Sequence, residues 1–155
     1  YRFVLENNSI IARGAIDLVY KRIEPKLSDY MGKIFEDICK QYLWKQLLTN
    51  KCPVEFTSLG RWWGNDPIEK CQTEIDIMGE QDKNTALFAE CKWTNEKVNQ
   101  SVLETLVKRS KLFSYKYIHL YLFSKSGFTQ GCIDQANKMG NVTLVSYTDI
   151  AECLK

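Results

Sequence analysis

The chain has 155 residues, of which 45% are hydrophobic and 26% charged, with a formal net charge of +2. That composition suits one globular domain with a real core. The chain holds no bilayer-spanning apolar run, and the charge is too weak to argue for nucleic acid unless a basic patch is local.

Six cysteines (Cys39, Cys52, Cys71, Cys91, Cys132 and Cys153) form no C-x-x-C pair, and His119 is the only histidine. A structural zinc site of the usual spacing is therefore not expected. Several of these thiols sit inside apolar patterns, as buried free cysteines do. The expected setting is reducing and cytoplasmic, with no disulfide framework. Arg2, Glu6 and Arg13 interrupt any signal-peptide pattern. The opening "YRFVLENN" reads like the interior of a longer chain.

Taken in chain order, residues 1–27 are expected to lead in from a longer parent protein, and residues 28–155 to form the domain. "AIDLVYKRIEPKL" carries a short helical pattern expected to end near Pro25. A strong helix is predicted from Ser28, with Ser28 or Asp29 as N-cap. Its apolar stripe is Met31, Ile34, Phe35, Ile38, Cys39, Tyr42 and Leu43. "VEFTSL" is a strand candidate and "GRWWGNDP" a loop punctuated by Gly and Pro. "TEIDIMG" alternates, with Ile75 and Ile77 facing one way and Glu74, Asp76 and Met78 the other. After the turn "GEQDKN", "TALFAECKW" is a second strand. It sets Leu87, Ala89 and Cys91 on one side and Phe88, Glu90 and Lys92 on the other.

A helix is then predicted from about Asn95 to Phe113, burying Val98, Val102, Leu103, Leu106 and Phe113. "YIHLYLF" has the near-continuous apolar character of a strand covered on both faces. "SKSGFTQGCIDQANKMG" reads as a loop and a helix closed by Gly140. "VTLVSY" and "TDIAECL" supply a last strand and helix. A hairpin pairs antiparallel, whereas a strand, helix, strand run implies a parallel crossover. The expected fold is α/β, a mixed sheet flanked by helices.

The charged residues inside the two hairpin strands carry the chemistry. A turn centred on Lys83 sets Asp76 opposite Glu90 and Glu74 opposite Lys92, with facing Cβ atoms about 5 Å apart. A one-residue slip would undo this. Two carboxylates that close repel unless a cation lies between them. A hard divalent ion such as Mg²⁺ suits oxygen ligands and keeps water and phosphate in its shell. Lys92 beside that shell could stabilise charge on a phosphate or orient the attacking water. On the first helix, Glu36 lies about 100° from Phe35, at the edge of the stripe, whereas Asp37 falls on the solvated side. Glu36 is thus the acidic residue able to reach inward.

The spacing D-x(13)-E-x-K resembles the signature of the PD-(D/E)XK nuclease superfamily. That resemblance implies a restriction-endonuclease-like core of α-β-β-β-α-β, here with an additional C-terminal helix, strand and helix. It also implies a catalytic set of Glu36, Asp76, Glu90 and Lys92. Asp76 and Glu90 would hold Mg²⁺ or Mn²⁺, with Glu36 reaching it through water. "TEID" lacks the eponymous proline.

"YRFV", "YMGKIFEDICKQYL", "GRWWG", "EIDIMG" and "ECKW" resemble DUF234, a C-terminal domain of archaeal and bacterial AAA-like ATPases, and "SKSGFTQG" resembles a late loop of Mrr-like nucleases. This implies DNA as substrate and a parent protein with ATPase and winged-helix parts. The chain itself has no G-x(4)-G-K-[ST], so it encodes no nucleotide site. The alternative is a catalytically inactive module of that ATPase, binding nucleic acid or a partner.

Other residues have two readings each. Glu74 is a site residue or a salt-bridge partner of Lys92. Arg61, Trp62 and Trp63 could contact a nucleic-acid backbone and stack on bases, or the tryptophans could close the core. On a flat face they would instead make a homodimer surface. Lys108, Arg109 and Lys111 could hold phosphates or form a solvated helix end. His119, in an apolar strand, is expected to be structural.

Overall fold

The computed structural model describes residues 5–155, so the leading "YRFV" lies outside the described residues. Two compact units divide between Ile34 and Phe35. In the first, the short helix α1 (Asn8–Ile11) precedes the start of α2 (Ile16–Leu48). Lys26 pairs there with Glu6 at 3.0 Å. The expected break at Pro25, and with it a fresh start at Ser28 or Asp29, is corrected: Pro25 lies inside α2. The neighbouring Lys21, Arg22, Glu24, Lys26 and Leu27 are good helix formers. The helix therefore tolerates a ring that costs roughly 3 kcal/mol.

In the second unit, Phe35, Cys39 and Leu43 recur four residues apart along α2 and are fully buried. The expected strand "VEFTSL" is irregular backbone up to Ser58, although Val54 and Phe56 are buried. The strand lies one step later, as β1 (Leu59–Asp66), in the segment read as a loop. Gly64 misleads there. Its glycine is required because a Cβ would stand 2.5 Å from the Trp62 ring; the residue marks a close approach within a strand.

The remaining elements are β2 (Cys71–Asp82), β3 (Thr85–Lys92), α3 (Gln100–Ser110), β4 (Tyr117–Ser124), α4 (Gln130–Met139), β5 (Val142–Ser146) and α5 (Tyr147–Leu154). The five strands lie in sequence order in one mixed sheet. β1, β2 and β3 pair antiparallel, while β3, β4 and β5 pair parallel. The strand, helix and crossover order is the expected one.

Helices cover both faces. Phe35, Cys39 and Leu43 of α2 and Ile150 of α5 pack with Ile77, Leu87, Ala89 and Phe123. Leu103 and Leu106 of α3 and Cys132 and Ala136 of α4 pack with Ile75, Phe88, Leu120 and Leu122. β4 contributes to both clusters, which is why its sequence is continuously apolar.

The caps are local. Asn99 accepts from Ser101 N–H, Thr129 from Cys132 N–H, and Ser146 with Asp149 forms a capping box. α3 begins later than expected because Val98 bridges to Phe128 instead of entering the helix. Gly140 closes α4 at φ 76°, a conformation that favours glycine. All six cysteines are free. No helix among the described residues is long and apolar enough to cross a membrane.

Candidate active site

The site begins where the sheet forks. β2 and β3 pair from Asp82↔Thr85 to Ile77↔Ala89, and the pairing stops there. Continued one step, that register sets Asp76 across from Glu90, as the sequence predicts. Beyond the fork β2 pairs with β1 alone, from Ile75 to Cys71. Where the next ladder bond would lie, Asp76 Oδ2 accepts the N–H of Cys91 at 2.8 Å. The side chain thus satisfies a backbone donor left open by the divergence of the strands.

A β-bulge makes this possible. Gly60 pairs with Met78 but Trp62 with Ile75, so β2 takes three steps while β1 takes two. The expectation that Ile75 and Ile77 face the same way is therefore corrected. Ile77 packs with Phe35 and Ala89, and Ile75 with Phe88 and Leu103 on the other face. The extra residue breaks the period of two, and Asp76 sits at the switch.

Cations line the fork. Lys92 Nζ pairs with Glu90 Oε1 at 2.7 Å, and Arg109 donates to Glu90 Oε2 at 3.1 Å. Arg61 donates to Glu36, with its Nη2 3.7 Å from Asp76 Oδ1 and its Nη1 3.3 Å from Glu74. Asp76 and Glu90 are buried. Burial, followed by the charge of Glu90, pushes the Asp76 carboxyl up to about 6, against the pull of the Cys91 N–H and Arg61.

Glu36, Asp76, Glu90 and Lys92 thus belong to one charge network, with Arg61 as a bridging member. Asp37 lies outside it and pairs with Lys40 at 3.6 Å. Glu74 takes Arg61, not Lys92, as its partner. The tryptophans divide. Trp62 packs on Phe113 with ring centroids 5.0 Å apart, while Trp63 is 70% exposed. Lys108 pairs with Glu69. His119 hydrogen-bonds Thr143 Oγ1 at 2.7 Å, and burial lowers its pKa.

Arg109 is the site residue that the basic-run reading obscured. The helical period carries the signal. Val102, Leu106 and Arg109 share one face of α3, so Arg109 belongs with the residues that pack inward.

A family model, DUF234, described as archaeal and bacterial proteins of unknown function, matches residues 1–106. The chain belongs to this family. The DUF234 match includes Glu36, Arg61, Asp76, Glu90 and Lys92, and ends before Lys108 and Arg109. The chain is similar to the uncharacterized protein MJECL04 of Methanocaldococcus jannaschii, with 31% identity over 115 residues. That stretch is 72% of the chain and 24% of the relative, so the chain spans about a quarter of that relative's length. A crystal structure of a protein of unknown function, AF1548, matches with a TM-score of 0.42 and 16% identity, over 72% of this chain and 58% of that one.

The residues at the fork fit a hard divalent ion. Among the described residues, no three His, Cys, Asp or Glu side chains group closely enough to hold an ion by themselves. Mg²⁺ asks for less: one or two carboxylates, with water and substrate phosphate completing the shell. Asp76 and Glu90 are two all-oxygen donors on adjacent strands. Burial first, and the Glu90 charge second, raise the Asp76 pKa, so positive charge between the two carboxylates is favoured. The Arg61 guanidinium, beside both Glu36 and Asp76, already stands where positive charge is favoured.

Proposed function

We propose that this DUF234 domain has a restriction-endonuclease-like fold of the PD-(D/E)XK type and hydrolyses phosphodiester bonds of DNA with Mg²⁺ or Mn²⁺. The observation that supports this most is the fork: a bulged β2 and the end of β3 bring a buried Asp76 and Glu90 together with Lys92 and Glu36. Asp76 and Glu90 hold the ion, and Glu36 supports its water shell. The bound ion supplies Lewis-acid charge and an acidified water.

The chain's own groups complete the reaction. Lys92, 2.7 Å from Glu90, presents an ammonium beside the attacked phosphate, where it stabilises the charge that develops. Arg109 holds Glu90 in place by a charge-assisted bond. Arg61 holds Glu36 and offsets Glu74. The setting is cytoplasmic, and the parent protein adds ATPase and winged-helix parts that deliver the DNA. The test is cleavage of single- and double-stranded DNA with Mg²⁺ or Mn²⁺. Lys92→Ala is expected to lose roughly 10²- to 10⁴-fold in rate. Equal cleavage by wild type and Lys92→Ala would rule out chemistry at this site.

One observation favours a second reading. The carboxylates already have cationic partners in Arg61, Lys92 and Arg109, a network that persists without metal in an inactive binding module. Calorimetry with Mn²⁺ separates the two readings. An affinity unchanged in Asp76→Asn supports the module.

A further inference from the structure

Trp62 and Trp63 are adjacent, yet strand alternation gives them different lives. Trp62 is wedged against Phe113. Trp63 is 70% exposed, so it contributes little to the core. Its cross-strand neighbour is Glu74, on the part of β2 that has left β3. Trp63 therefore lies on a two-stranded arm running past the fork.

Beside this arm is a cleft of about 460 Å³ lined by Trp63, Gln72, Thr73, Glu74 and Arg109. Its volume is in the range of small-ligand pockets. It shares two walls with the carboxylate site. Arg109 is bonded to Glu90 at 3.1 Å, and Glu74 to Arg61 at 3.3 Å, whose other nitrogen lies 3.7 Å from Asp76. The lining combines one aromatic face, an amide, a hydroxyl, a carboxylate acceptor and a guanidinium. A nucleotide has the matching parts: a flat base with donors and acceptors on its edge, and an anionic phosphate. Arg61 offsets the Glu74 charge that would otherwise repel the phosphate.

We infer that this cleft takes an unpaired nucleobase stacked on Trp63, next to the phosphodiester presented to Asp76, Glu90 and Lys92. The inference rests on the nuclease reading and narrows its substrate. Inside a duplex both faces of a base are covered by its neighbours. Only an unpaired or extruded base offers a face to an indole. The substrate is thus a strand that is single at this position, as in an overhang, a flap or a gap. Stacking is tolerant of base identity, so the cleft selects strand state more than sequence.

The experiment measures binding without cleavage. A fluorescein-labelled 12-nucleotide oligothymidylate and a blunt 12-base-pair duplex are titrated by anisotropy in EDTA. The proteins are wild type, Trp63→Ala and Trp63→Phe, each checked for an unchanged melting midpoint. The single strand is expected to bind at least tenfold tighter than the duplex. Trp63→Ala is expected to lose at least tenfold for the single strand alone, and Trp63→Phe to keep most of the affinity. Equal binding of single strand by wild type and Trp63→Ala, or a duplex bound as tightly as the single strand, overturns the inference. A parallel Mn²⁺ cleavage assay keeps the two failures apart. Trp63-dependent binding without cleavage removes the nuclease reading and leaves the base cleft, whereas cleavage indifferent to Trp63 and to strand state does the reverse.

Discussion

Asp76 carries two demands at once. Its carboxylate accepts the Cys91 N–H that the forked ladder leaves open, and it faces Glu90 in a buried setting that favours its neutral form. The folded-state pKa of about 6 lies above the 3.8 of the free group. The folded protein therefore holds the proton more tightly than the unfolded one. Between about pH 4 and 6 the metal-free protein loses stability as pH rises, and above pH 6 the full cost is present. Asp76→Asn keeps an acceptor for Cys91 and removes the charge. In EDTA at pH 7 it is expected to stabilise the fold by on the order of 1–2 kcal/mol, roughly 2–8 °C in melting midpoint. The gain should vanish at pH 4, and the same variant should lose Mn²⁺ affinity. Melting curves at both pH values decide the point. A destabilised Asp76→Asn at pH 7 would mean that the Arg61 attraction outweighs burial and the Glu90 repulsion together.

At the scale of elements, the site depends on the arm of β1 and β2 being held against α3, and the Trp62 ring is the wedge. It lies across Gly64, where a Cβ would come within 2.5 and 2.8 Å of two ring atoms, and it packs edge-on with Phe113. Gly64→Ala is expected to cost about 1–3 kcal/mol as overpacking. In a Trp62→Leu background the same change should cost much less, because the clash needs the ring. A melting series on the four proteins checks this, and additive costs would mean that the ring is not the obstacle.

The arm also shows what the sequence could and could not carry. Asp76, Glu90 and Lys92 were legible because two strands of clear alternation flank a short turn; despite a register shift between Glu80 and Asp82, the ladder from Glu80↔Ala86 to Ile77↔Ala89 has the register of a turn centred on Lys83. The bulge was not legible, since it is a mismatch between β2 and β1, and the glycines of β1 give that segment the look of a loop. Pro25 misled in the same way, as a residue type taken for an interruption that the surrounding sequence absorbs. Arg109 was legible in principle from the period of α3, but a run of basic residues hid it.

At the scale of the whole molecule, the site is a place where the fold is locally overcharged. Four carboxylates (Glu36, Glu74, Asp76 and Glu90) share three cations (Arg61, Lys92 and Arg109), although the chain as a whole carries +2. The two buried carboxylates are brought together only by strand pairing, so the unfolded chain has no equivalent site. An ion bound there adds its binding free energy to folding. With free Mn²⁺ at a hundred times its Kd, the gain is about 2.7 kcal/mol, or roughly 5–11 °C for a chain of this size. Asp76→Asn and Glu90→Gln should each abolish most of that shift, whereas Asp37→Asn, on the solvated side of α2, should leave it intact. Sodium chloride at matched ionic strength controls for screening at other carboxylates. Thermal melts of these four proteins with and without Mn²⁺ read the answer directly. A shift of equal size in all four would place the ion elsewhere on the surface and remove the metal from the fork.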